Sequence, residues 1–216
     1  SSYGQEDDAI LGEAIRKASN VYLPLFLSLK QGSMPPEDEG FIKRITIKDQ
    51  ISPSSTFNSA VIPVDVLRSS IEGAGNVTIS PDEDGVYRKV PLLFKLKEYV
   101  IPNCVLSYLI KKGIVGIKQN SIYVRDTKIP LTDGKLMLRY YRKDSPFRVF
   151  SAHQLLKSYL DSGASIKPFI KRDFFKGKVV FIGLTAAGLY DLKPTSISSI
   201  STGVLLHATT LDNIMN

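Results

Sequence analysis

Lys178-Val179-Val180-Phe181-Ile182-Gly183 is the stretch on which the fold class turns. Four apolar residues in a row, with no polar alternation, read as a strand covered on both faces, as central strands of α/β sheets are. A glycine-bounded loop follows, Gly183-Leu184-Thr185-Ala186-Ala187-Gly188, and open α/β sheets place their ligand loops at the carboxyl ends of strands. Next come Leu189-Tyr190-Asp191-Leu192, a Ser/Thr-rich stretch, and a helix from Gly203 to Asn216. The segment therefore predicts both a fold class and the place of a site.

Working outward, Ser151 to Leu160 carries helix signals. Ser151 and Gln154 form a capping box, and Phe150 is placed to staple onto Leu155. Asn103 is a helix cap for Val105, Leu106, Leu109 and Ile110, with Gly113 ending the helix. Asn76–Ser80 and Gly85–Lys97 read as strands joined by the turn Pro81-Asp82-Glu83-Asp84-Gly85. Shorter strands are expected over 114–117, 121–124 and 136–140, and a helix over Pro63–Ile71. Glu6–Ala18 reads as a helix and Asn20–Leu27 as a strand. Ser33–Gly40 reads as an exposed loop, and the alternation of Ile45 and Ile47 suggests a strand within 41–51. The order predicts an α/β fold, with a mainly parallel mixed sheet flanked by helices and an antiparallel hairpin portion.

The 216 residues suit one domain, and hydrophobic and charged fractions of 43% and 23% are those of an ordinary globular protein. A net charge of +7 suits nucleic acid or anionic headgroups only if it is concentrated on one face. Cys104 is the single cysteine, which excludes an intrachain disulfide and a cysteine-rich zinc site. The longest apolar run, Val21–Leu29, is broken by Pro24 and Ser28, far short of the ~20 residues a membrane span needs. Ser1-Ser2-Tyr3-Gly4 carries no domain-start signal and Asn216 closes a helix without a stop signal, so both ends are expected to continue into a longer chain.

The motifs exclude more than they assign. The loop 183–188 lacks the Lys-Ser/Thr pair of a phosphate-binding loop, because Leu189-Tyr190 stands in its place. His207 lies beside the apolar stripe of its helix, where a core histidine is expected, and neither it nor His153 has metal-ligand spacing. No GxSxG elbow is present, and Cys104 sits in an apolar helix start, so nucleophilic catalysis has little support. Asp82-Glu83-Asp84-Gly85 fails the calcium-loop pattern because position 91 is proline. Arg139-Tyr140-Tyr141-Arg142-Lys143 interleaves aromatics and cations, but a half-buried strand entering a solvated loop has the same letters, and no nucleic-acid partner is assigned. No cofactor and no metal is called for.

Several segments in order resemble the CHASE domain, type two. Phe181-Ile182-Gly183-Leu184-Thr185-Ala186-Ala187-Gly188-Leu189-Tyr190-Asp191 is similar to its strand-to-loop signature. Gly203-Val204-Leu205-Leu206-His207-Ala208 with Leu211-Asp212-Asn213 is similar to the helix that follows, with Thr202 where the family has proline. Asp82-Glu83-Asp84-Gly85-Val86-Tyr87-Arg88-Lys89-Val90-Pro91-Leu92 resembles its hairpin, and Asp7–Pro24 its first helix and strand.

The resemblance implies one extracytoplasmic sensor domain over 1–216, with the family's N-terminal strand–helix–strand missing or diverged. It implies location on the outer, periplasmic or cell-surface, face of the cytoplasmic membrane, with transmembrane helices flanking the segment. It also implies a parent chain that is an adenylate or guanylate cyclase or a histidine kinase, a small-molecule or protein signal, and a homodimer. The last helix would be the output lever. The expected ligand-binding surface comprises Thr185, Tyr190, Asp191, His207 and Asn213, with Arg88 from the hairpin, and no catalytic residue. The rival expectation is a soluble α/β ligand- or nucleotide-binding enzyme, with Thr185, Asp191 and His207 as its cluster.

Overall fold

The computed structural model of the chain describes residues 2–32, 34–49, 51–141, 147–161, 170–185 and 192–216. In chain order the first half runs α1 (Ser2–Ala18), β1 (Tyr22–Ser28), α2 (Pro36–Ile45), β2 (Thr56–Phe57), β3 (Ser59–Val61), α3 (Asp65–Arg68) and β4 (Gly73–Asn76). The second half runs β5 (Lys89–Pro91), β6 (Leu93–Leu96), β7 (Tyr99–Pro102), α4 (Cys104–Lys111), β8 (Val115–Lys118), β9 (Ser121–Val124), β10 (Thr127–Lys128), β11 (Lys135–Met137), α5 (Ala152–Asp161) and α6 (Gly203–Met215).

β1 sits between β4, to which it runs parallel, and β3, to which it runs antiparallel. Leu25 and Leu27 are buried while Phe26 is exposed, the two-residue period of a strand with one covered face. β4 reads Gly-Ala-Gly-Asn for a steric reason. A Cβ on Gly75 would stand 2.5 Å from Cα and 2.6 Å from N of Cys104. Only glycine there lets α4 lie this close. Asn103 caps α4 as expected, its Oδ1 accepting from the Val105 N–H at 2.8 Å.

The antiparallel hairpin β6–β7 is a partition. Phe94, Leu96, Tyr99 and Ile101 face a core shared with Leu25, Phe41, Ile42 and Ile15. Leu93 and Val100 face a second core, built from α4, β5, β8, β9, β11 and Leu206 and Ile214 of α6. Both parallel pairing (β1–β4, β2–β6) and antiparallel pairing occur, with helices against the sheets, as the α/β reading expected, although among the described strands antiparallel pairs outnumber the parallel ones.

Three local expectations need correction. Residues 36–45 form helix α2 rather than loop and strand, because Pro36 occupies its first turn and Glu37, Asp38 and Glu39 meet its positive end. Of the two alternating isoleucines, Ile45 closes a buried helical stripe with Phe41 and Ile42, while Ile47 lies beyond the helix, bonded to Val100 and packed on the second core. The second correction is that residues 76–80 and 85–97 do not pair with each other as a hairpin: β4 ends at Asn76 and pairs with β1, while β5 pairs with β11. Phe150, just before α5, packs edge-on against Phe174 and Phe175 of the 3₁₀ turn Arg172–Phe175. The third concerns the segment that opened the reading. Residues 179–185 join no ladder among the described residues, and Val179, Val180, Ile182 and Leu184 are exposed. Phe181 alone packs on the second core, and a Cβ on Gly183 would meet Val204 of α6 at 2.7 Å. An apolar run signals burial, but without neighbouring strands its outer face stays open.

Candidate functional site

The family-like residues gather around α6. Its sequence buries Leu206, Ala208, Thr209, Thr210 and Ile214, and Thr210 returns its hydroxyl to the Leu206 carbonyl at 2.8 Å. At the far end, the side chain of Asn213 clamps a strand. Its Oδ1 accepts from the Arg139 N–H at 2.6 Å, and its Nδ2 donates to the Arg139 carbonyl at 3.2 Å. An amide that meets both main-chain groups of one residue substitutes for a missing ladder partner. One residue earlier on α6, Asp212 accepts from the Tyr141 hydroxyl at 2.5 Å.

The clamp continues into the arm that carries the 82–86 turn and Arg88. Leu138 N–H donates to the Arg88 carbonyl, so the strand held by Asn213 is also the partner of the chain at Arg88. The Arg88 guanidinium grips Asp84 with both nitrogens, at 2.8 and 2.9 Å, and reaches Asp82 at 3.3 Å. That bidentate grip, with the Val86 N–H, holds the Asp84 carboxyl down at about 2 from the ordinary 3.8. Arg88 itself is raised by the same partners. The pair is open to water, so it fixes the turn more than it stabilises the fold.

Tyr140 donates its hydroxyl to the Tyr87 carbonyl at 2.7 Å, and burial pushes that phenol up to about 12, keeping it a donor at physiological pH. Tyr87 N–H donates to Pro194 O, and Lys193 lies over the Tyr87 ring at 5.5 Å. The arm, the strand after β11, the loop 192–202 and the last turn of α6 therefore form one polar junction. Among the expected site residues it contains Arg88 and Asn213. Thr185 is exposed at the other end, where Gly183 leans on Val204. With about 1.5 Å of rise per residue, Val204 and Asn213 stand roughly 14 Å apart. His207 is half-buried between them. The described candidates do not converge on one pocket; Tyr190 and Asp191 lie outside the described residues.

Sequence reasoning missed Arg139, Tyr140, Tyr141 and Asp212. The alternating Arg139-Tyr140-Tyr141 pattern was the available signal, set aside as a strand running into a loop. The Cys104 thiol is half-buried, and desolvation pushes it up to about 11, which leaves little thiolate.

A family model described as the CHASE2 domain matches residues 1–216. The chain belongs to the CHASE2 family. No curated protein and no solved structure matches it. CHASE2 is an extracytoplasmic sensory domain family, a sensor rather than a catalytic domain. The resemblance seen in the 82–92 hairpin and the 203–213 helix is thereby placed in one family, and these are the two elements that the junction of this CHASE2 domain joins. Among the described residues no helix is long and apolar enough to cross a membrane.

Proposed function

We propose that this CHASE2 domain senses a signal outside the cytoplasmic membrane and regulates a cytoplasmic output in its parent chain, a nucleotide cyclase or a histidine kinase. The observation that carries the reading is the double attachment of α6. Its apolar face is seated in the second core, and its last turn is tied by Asn213 and Asp212 to the segment after β11, whose Leu138 N–H also donates to the Arg88 carbonyl of the arm. A signal that moves the arm therefore displaces the end of α6 and biases a two-state arrangement of whatever follows. Arg88 and Asn213 would report the signal from the junction. Thr185, Tyr190, Asp191 and His207 would form the rest of the ligand surface. The working unit is a homodimer, with membrane helices flanking the domain, and its signal is a small molecule or a protein; no nucleic acid takes part.

Two measurements test this. The parent gene read on both sides should encode hydrophobic spans with a cyclase or kinase beyond them; a reading frame without either removes the proposal. In that parent, Asn213→Ala should change basal cyclase or kinase output while the domain stays folded. Unchanged output in both Asn213→Ala and Tyr141→Phe would dissociate α6 from signalling.

A further inference from the structure

We infer that residues 147–161 and 170–185 form a docking surface for an anionic phospholipid bilayer. The charge of the chain is not spread evenly. These two stretches are under a sixth of the sequence, yet their six lysines and arginines against two aspartates make them +4 of the total +7. Arg148, Lys157, Lys171, Lys176 and Lys178 are exposed, and none of them forms an ion pair among the described residues. Cations so clustered, with no ion pair among the described residues, suit an anionic partner.

The same two stretches are also the most apolar part of the surface. They supply eight of the eighteen exposed large apolar side chains among the described residues. Ile182 is 91% exposed, Leu160 81% and Val149 79%. On α5, Leu156 and Leu160 lie four residues apart and so share one face. Solvent does not reward such a face; a headgroup–acyl boundary does.

The two properties meet at Phe174. Arg148 lies over its ring at 5.5 Å and Lys178 at 5.0 Å, and Phe150 stacks edge-on against it at 5.3 Å. These contacts bring together the base of α5, the 3₁₀ turn and the start of the extended segment. A hollow of about 370 Å³ opens there, lined by Arg148, Phe150, Ile170, Lys171, Asp173 and Phe174. Apolar side chains ringed by lysine and arginine complement both layers of an anionic membrane interface: acyl chains below, phosphates above. A protein partner of acidic surface would meet the cations but would leave Ile182 and Leu160 without an equivalent. The inference stands apart from the identity of the signal.

The test is co-sedimentation of the 216-residue chain with vesicles of phosphatidylcholine mixed with phosphatidylglycerol, against phosphatidylcholine alone. Binding is expected to the mixed vesicles and to fall as salt is raised. Lys176→Ala with Lys178→Ala should weaken it roughly thirtyfold, two surface cations' worth. Lys17→Ala with Lys43→Ala, two exposed lysines elsewhere, should leave it within about twofold. Ile182→Ser with Leu184→Ser, at exposed positions, should also weaken binding and so separates insertion from charge alone. Equal binding to both vesicle types, no binding to either, or an equal loss in the control pair would overturn the proposal.

Discussion

The two long helices of the second half, α5 and α6, have had opposite fates. α5 follows an aromatic stretch and α6 a Ser/Thr-rich one, and both carry leucines. Yet α6 sinks Leu206 and Ile214 into a core and ties Asp212 and Asn213 to a strand, whereas α5 leaves Leu156 and Leu160 facing out. The difference lies in their partners. α6 lies against α4 and the second core, while α5 is attached at its base through Phe150 to a 3₁₀ turn. An apolar stripe states that a face wants cover; which neighbours supply it is a tertiary fact.

The sharpest way to break this contrast is a pair of truncations. Leu206→Ala should cost about 2–5 kcal/mol in chemical denaturation, since it empties a fully buried site. Leu160→Ala, on the open face of α5, should stay within about 0.5 kcal/mol. Equal costs would mean that α5 is covered in solution. Next in size is Asn213→Ala, which unpairs both main-chain groups of Arg139 and should cost ~1 kcal/mol for each of the two bonds. Native-state hydrogen exchange reads the same contrast without mutation, and amides of α6 should outlast those of α5 by at least tenfold.

The smallest expected effect is electrostatic. With the folded Asp84 carboxyl at about 2 and its ordinary value at 3.8, the group supports the fold above roughly pH 4 and loses that support as pH falls toward about 2. Arg88→Ala should return the Asp84 titration, followed by carbon-13 NMR of its carboxyl, toward 3.8. Thermal stability at neutral pH should barely change, because the pair is solvated. A carboxyl that stays near 2 in the variant would transfer the cause to the Val86 N–H.

Local signals were legible where they were complete within a few residues. The Asn103 cap, the strand over Asn20–Leu27 and the turn before Val86 are all of this kind. The family was legible too, because its motifs recur in order along the chain. Helix α2 could have been read from Pro36 and the acids behind it, had the isoleucine spacing not been taken for a strand. What could not be read was pairing. Nothing within Val179–Ile182 says whether strands flank it, and the Asn213–Arg139 clamp spans 74 residues. Of the site, Arg88 and Asn213 could be named from motifs, but their connection through Leu138 and Arg139 could not.

The close approach of β4 to α4 has a practical consequence for following the two helices. Gly75 presses against Cys104 with no room for a side chain, and the thiol, held at about 11, is mostly protonated at neutral pH. A maleimide or nitroxide reagent should react with it far more slowly than with an exposed cysteine. New cysteines at exposed positions of α5 and α6 would then be labelled selectively with the native thiol left in place, giving an inter-helix distance ruler that leaves the packing beneath it undisturbed.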